Sequence, residues 1–404
     1  MKHWKRLAAL CLSFALALSL CACGDGDADG SAAPSQSASA QPSGDPSPAP
    51  TVEVDLSKPA LEFSAGVSSG DTLVTVNGTG TPADLTLYWL AMSCSDFMGQ
   101  YGMFGIQLSD KPDPNQERTF ADLMLDSAVN IAAYNTLIRQ KAAELGCPPT
   151  DAQTEEAKQE MLADGQERYD QLKTAFGLTD ESLQYLFLSN TYYENVLAAA
   201  VPAATDEMLN NYVYHAKHIL LLTVDMEGEQ VQQEDGTYAY PALPAEKVAE
   251  QKKLAEDLLA QLQGAEDLPA KFDELMNQYS EDSGLKSNPD GYTTTAGEMV
   301  PPFEKAALAL KPGEISGIVE SSYGYHIILR GEVDDIQSYA QDCREYTLDQ
   351  QLTEMLQAAE ITRAPALDSL DIPDFFNKYM AYHSAVIPAE PAETAGPVES
   401  GGVG

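Results

Sequence analysis

The 404 residues carry 62 acidic against 23 basic side chains, a formal charge of −39. A field of that sign repels nucleic acid and anionic lipid headgroups, so it excludes phosphate-rich partners and favours solubility. The length leaves room for two or three domains, each with a core of its own.

The chain opens on a processing segment. Lys2, Lys5 and Arg6 form a positive n-region, and Leu7 to Leu20 is an apolar run too short for a comfortable bilayer span. It closes on Leu20-Cys21-Ala22-Cys23-Gly24, which resembles the lipobox of bacterial lipoproteins. That resemblance implies a signal peptide over 1–22, acylation of Cys23 and a lipid anchor on the extracytoplasmic face of the cell membrane. Several acyl chains make such an anchor lasting where a single one would not. The alternative is an ordinary secretory signal cleaved near the same place. Of the six cysteines, Cys94, Cys147 and Cys343 then remain, far apart and without metal or redox spacing, so buried free thiols are the default and no metal or cofactor is expected.

From Gly24 to about Ser57 the sequence is Ser, Ala, Pro, Gly and Asp with almost no large apolar residue, which predicts a disordered tether, placed over 23–68. Folding is expected to begin at the alternating strand Thr72-Leu73-Val74-Thr75-Val76-Asn77-Gly78. Thr81-Pro82-Ala83-Asp84 reads as a helix start with Thr at the N-cap and Pro at N1. A helical module follows over 69–205. Leu85, Tyr88, Trp89 and Met92 share one face, and Phe97 to Gly105 predicts a break. Phe120 to Ile138 gives a long amphipathic helix ending near Gly146, and Gly177-Leu178-Thr179-Asp180-Glu181 leads into another. Thr205 caps a short helix before the next segment.

That segment, 206–335, is bracketed by two histidines in apolar runs, Ala216-Lys217-His218-Ile219-Leu220-Leu221-Leu222 and Tyr323-Gly324-Tyr325-His326-Ile327-Ile328-Leu329-Arg330. Both runs read as buried strands. Taken singly, each histidine is a satisfied core residue; taken together, the two suggest the floor of a site. Between them come, in order, Phe272-Asp273-Glu274-Leu275, Tyr279-Ser280-Glu281-Asp282-Ser283, Gly297-Glu298-Met299-Val300-Pro301-Pro302-Phe303-Glu304 and Leu310-Lys311-Pro312-Gly313-Glu314-Ile315-Ser316. This string resembles the parvulin family of peptidyl-prolyl cis/trans isomerases over the whole stretch.

The resemblance implies a small antiparallel-type sheet flanked by helices. It also implies catalytic positions at His218 and His326 on adjacent central strands, at Asp282 where parvulins carry Cys or Asp, and at Ser321, a hydroxyl that hydrogen-bonds the histidine pair. Met299 and Phe303 match the apolar walls of the proline pocket, and their spacing of four suits one face of a helical turn. Each has a plainer reading: turn chemistry for Asp282-Ser283-Gly284, ordinary core for Met299 and Phe303, a loop hydroxyl for Ser321. His215, three residues before His218, faces the other side of its strand, which argues against a metal site. Many parvulins carry Gly-Gly-Asp-Leu-Gly-x-Phe before the Met; here Pro289-Asp290-Gly291-Tyr292-Thr293-Thr294-Thr295 lacks the pocket Leu and Phe, and Tyr292 is the candidate replacement wall. The loop from Thr223 to Ala245 is acidic, so a phosphoserine-proline preference would meet like-charge repulsion and is not expected.

After Arg330 a helical run through Tyr339, Tyr346, Leu352 and Met355 predicts a return, over 336–385, to the helical module. Residues 386–404 read as a disordered tail. The layout resembles SurA-like and PrsA-type foldases, whose helical module cradles unfolded chains. The fold expected is therefore α+β: a helical chaperone module with an inserted parvulin domain. The function expected is a membrane-anchored foldase isomerising Xaa-Pro bonds in unfolded secreted polypeptides. A weakly catalytic holdase is the alternative. A solute-binding lipoprotein would need two α/β lobes, which the helical stretch from Leu85 to Ala200 does not offer.

Overall fold

The computed structural model describes residues 52–113, 116–233 and 238–387, and the lipobox at Cys23, the tether up to residue 51 and the tail from 388 lie outside the described residues. Within them the chain forms two units, 52–196 with 352–387 and 197–351.

In the first unit a helix stands inside the span expected to be tether. Helix α1 (Ala60–Ser64) buries Leu61 to 1 % exposure in the core of this unit, so burial of one leucine begins the fold before the first strand. Strands β1 (Thr72–Val76) and β2 (Thr79–Pro82) pair antiparallel across Asn77 and Gly78, both at positive φ as a two-residue hairpin turn requires. Helix α2 (Ala83–Tyr101) starts one residue later than expected, with the cap at Pro82 instead of Thr81. Thr81 is held in β2 opposite Val74, and its hydroxyl bonds that of Thr136, so Pro82 occupies the N-cap without a side-chain bond. The break expected within Phe97 to Gly105 falls at the end of that span: Phe97 is buried, 4.7 Å from the Phe120 ring, and the helix runs on to Tyr101. The turn comes at Gly102–Phe104, with Gly105 at φ 81°.

Helices α3 (Phe120–Glu144) and α4 (Asp151–Met161) open on capping boxes, Thr119 with Asp122 and Thr150 with Gln153. Helices α5 (Gln166–Phe176) and α6 (Asp180–Ala200) follow. Asp84, fully buried, accepts hydrogen bonds from the Thr179 N–H (2.9 Å) and hydroxyl (3.0 Å) and from the Ser182 hydroxyl (2.9 Å), fastening the start of α2 to the start of α6. Cys94, Cys147 and Cys343 are all free thiols.

The second unit begins with helix α7 (Asp206–Tyr212), capped by the Thr205 hydroxyl. Strand β3 (Val213–Leu222) leads to the short pair β4 (Val231–Gln232) and β5 (Tyr238–Ala239), then to helices α8 (Ala245–Gln263) and α9 (Leu268–Tyr279). Strand β6 (Tyr292–Thr295), helix α10 (Pro301–Ala309) and strands β7 (Val319–Glu320) and β8 (Gly324–Gly331) complete it. The sheet order is β6-β3-β8-β7, every pair antiparallel, so the two histidine-bearing strands are its central pair. Alternation divides the sheet chemically. Ile219, Leu221, Tyr325, Ile327 and Leu329 meet Leu258, Phe272 and Met276 of α8 and α9, whereas Tyr214, Ala216 and Ile328 meet Phe303 and Ala307 of α10. The second face is the one that carries His218 and His326.

Helix α11 (Ala340–Ala358) returns the chain to the first unit, where strand β9 (Ile361–Arg363) pairs with β1. Helices α12 (Pro365–Asp368) and α13 (Ile372–Val386) then bury Leu367, Phe375 and Tyr379 in its core. Tyr379 also donates to the Phe176 carbonyl at 2.9 Å, and His383 packs 4.7 Å from the Phe176 ring. The architecture is α+β.

Candidate active site

His218 on β3 and His326 on β8 are diagonal neighbours, since His218 pairs with Ile328 and Leu220 with His326. Their rings stand edge to face at 5.4 Å, and the Phe303 ring of α10 lies 5.2 Å from one and 5.4 Å from the other. The close pairing of β3 with β8 has a backbone requirement at its end: a Cβ on Gly324 would lie 2.1 Å from the Leu221 carbonyl oxygen. Just before Gly324, Ser321 closes the loop. Its oxygen shares a 2.7 Å hydrogen bond with His326 Nε2 and accepts from the Tyr323 N–H at 3.1 Å.

Asp282 reaches the pair because the chain after α9 runs beside the free edge of β3. The Glu281 N–H donates to the Leu220 carbonyl (2.8 Å), and the Leu220 N–H donates to the Ser280 hydroxyl (3.1 Å). One residue on, Asp282 Oδ1 accepts from the Gly284 N–H (2.9 Å), which is turn chemistry, while Oδ2 faces the site. Oδ2 accepts from the Tyr292 hydroxyl at 2.6 Å and lies 3.3 Å from His218 Nε2, an ion-pair distance off the hydrogen-bonding direction. The turn reading and the site reading of Asp282 therefore hold together, one oxygen each.

Electrostatics follow from this packing. Burial pushes the Asp282 carboxyl up, but His218 and the Tyr292 hydroxyl outweigh it and hold it at about 2. Burial and the neighbouring His218 drive His326 down to about 3, so its imidazole is neutral at physiological pH. Burial and the Asp282 carboxylate raise the Tyr292 phenol, which stays a donor. His218 Nδ1 and Nε2 and His326 Nδ1 are buried without a hydrogen-bond partner among the described residues. Groups so left cost about 1–3 kcal/mol each and gather where a ligand's polar atoms complete them.

Of the sequence-expected residues, the structure brings His218, His326, Asp282, Ser321, Phe303 and Tyr292 into one cluster. Met299 shares the Phe303 core but not its helix: α10 begins at Pro301, and the residue before a proline is driven out of the helical region, as Val300 is at ψ 137°. The helical spacing expected of Met299 and Phe303 is thus replaced by a bend that packs both against the same face. His215 faces away, bonded to the Thr293 hydroxyl (3.0 Å) and the Asp290 carbonyl (2.8 Å). Sequence reading missed Gly284, whose lack of a Cβ admits the Tyr292 hydroxyl; the Asp-Ser-Gly turn was its only signal.

Residues 218–332 match the rotamase family, PPIC-type PPIase domain. With the paired histidines on the central strands, this segment is a parvulin-type peptidyl-prolyl isomerase domain. The chain is similar to Foldase protein PrsA of Bacillus subtilis (strain 168), 37% identical over 108 residues, which are 26% of this chain and 35% of that protein. It is similar also to Foldase protein PrsA of Staphylococcus aureus (strain bovine RF122 / ET3-1), 28% identical over 190 residues, 46% of this chain and 54% of that one. The chain thus spans about half or less of the length of these curated relatives. Among solved structures, PrsA from Bacillus cereus aligns at a TM-score of 0.33 and 18% identity, covering 78% of this chain and 99% of that chain.

Proposed function

We propose that this chain is a membrane-anchored extracytoplasmic foldase that isomerises Xaa-Pro bonds in unfolded secreted polypeptides. The carrying observation is the His218–His326 pair with the ionised Asp282 beside it and Phe303 over both rings. The barrier to isomerisation, about 18–20 kcal/mol, is the amide's partial double bond. Resonance in the planar amide places negative charge on its oxygen, and twisting withdraws it. A carboxylate near that oxygen therefore disfavours the planar form more than the twisted one. Two unit charges at 4 Å interact by about 4 kcal/mol at an effective dielectric of 20, and only a fraction of a charge shifts, so Asp282 supplies on the order of 1 kcal/mol. Phe303 and Met299 wall the proline ring, and Ser321 holds His326. Cys23 would carry the lipid.

The test is proline-peptide isomerisation by the purified chain against an Asp282→Ala, His326→Ala double variant. The double variant is expected to lose at least about tenfold in kcat/KM. Equal rates in the two would remove the enzyme reading. One observation favours a weakly catalytic holdase instead: on β6 Thr294 is bonded to Glu298 and only Tyr292 offers a large side chain to the pocket. In that case the double variant would suppress client aggregation as well as the parent does.

A further inference from the structure

Tyr292 fills the edge of the site where the pocket Leu and Phe are missing, and its hydroxyl makes a bond that a wall does not need. That hydroxyl donates at 2.6 Å to the same Asp282 oxygen that lies 3.3 Å from His218 Nε2. The phenol ring lies at 14° to the His218 ring with centroids 5.8 Å apart, so one side chain contacts both partners of the pair. On the far side, a Cβ at Gly284 would stand 2.3 Å from the phenol oxygen. The Gly284 N–H holds the other carboxylate oxygen at 2.9 Å. Each oxygen of Asp282 thus has its own donor, which fixes the carboxylate's rotation. The donor strand is fixed as well, since Tyr292 pairs with Ala216, two residues before His218.

We propose that Tyr292 is a positioning residue of the isomerase site, its hydroxyl clamping the Asp282 carboxylate against His218 in the space that Gly284 leaves open. This rests on the reading that the domain isomerises Xaa-Pro bonds. The titratable groups facing Asp282 are Tyr292 from β6, His218 from β3 and, behind it, His326 from β8. Its neighbour Glu281 turns away to the Leu222 N–H (2.7 Å) and Gln251 (2.6 Å). Removing the phenol hydroxyl withdraws a donor from the charged form, so the carboxyl must titrate at higher pH.

The experiment compares Tyr292→Phe, Tyr292→Ala and Gly284→Ala in the full chain. Tyr292→Phe keeps the ring and is expected to lower kcat about three- to tenfold with KM nearly constant, and to move the acidic limb of the pH–rate profile upward. Gly284→Ala, which leaves Tyr292 in the sequence, is expected to reproduce both changes. A Tyr292→Phe variant with parental kcat and pH profile overturns the proposal, whether or not Tyr292→Ala raises KM as a lost wall would. If the parent itself proves inactive, the isomerase reading fails separately. The clamp is then read from the carbon-13 carboxyl titration of Asp282, assigned with Asp282→Asn. An upward midpoint in Tyr292→Phe supports it, and an unchanged midpoint overturns it.

Discussion

At the scale of single residues, the site stores its chemistry in two groups whose protonation is set by packing: burial for His326, and His218 with the Tyr292 hydroxyl for Asp282. The folded His326 refuses a proton until about pH 3, against 6.5 for the free side chain, because it is 4 % exposed and faces His218. An unfolded chain takes that proton below about pH 6.5, so the stability contribution is complete above that pH and falls as pH drops toward 3. Asp282 acts in the same direction over a lower window, from its ordinary 3.8 down to about 2. Between pH 7 and 5 the histidine alone costs the isomerase domain about 2 kcal/mol. Urea unfolding at the two pH values should show this loss in the parent and not in His326→Gln; a loss equal in both rejects it. The identities of these residues were legible because the motif order singles out His218, Asp282, Ser321 and His326. The bond between Tyr292 and Asp282 was not, since a tyrosine ten residues away can meet a carboxylate only if the strand and the turn are folded toward each other.

At the scale of elements, the β3–β8 pair is the part on which the site depends. Its register puts both histidines on one face, and Gly324 lets the strands meet beside the loop that carries Ser321. Gly324→Ala would drive a methyl group into the Leu221 carbonyl. It is expected to destabilise the domain by about 2–3 kcal/mol and to loosen the Ser321–His326 bond. Unfolding measurements give the first, and histidine ring shifts give the second; a variant as stable as the parent refutes the argument. Apolar periodicity predicted these strands and the long helices α2, α3, α6 and α11. It misplaced the start of α2 because the competing contact was distant in sequence: Thr81 is claimed by Thr136. Likewise Pro301 set the start of α10 locally, which the spacing of Met299 and Phe303 did not register.

At the scale of the whole molecule, the first unit is made from both sides of the second in the sequence. Strand β9 pairs with β1, and Leu367, Phe375 and Tyr379 complete the core around Leu61 and Leu87. Ending the chain after Gln351 is therefore expected to unfold the first unit, removing its calorimetric transition, while the isomerase domain keeps its own. Two transitions surviving the truncation would disprove that assignment. The amino-acid sequence by itself determined the charge of the surface, the apolar strands and helices, and the ordered motif between the two histidines, because each is a property of neighbours along the chain. Which side chains share a carboxylate, where α2 starts, and that residue 61 belongs to a core were decided only by tertiary structure. Each depends on a contact between segments tens to hundreds of residues apart, and no local pattern encodes the distance between them.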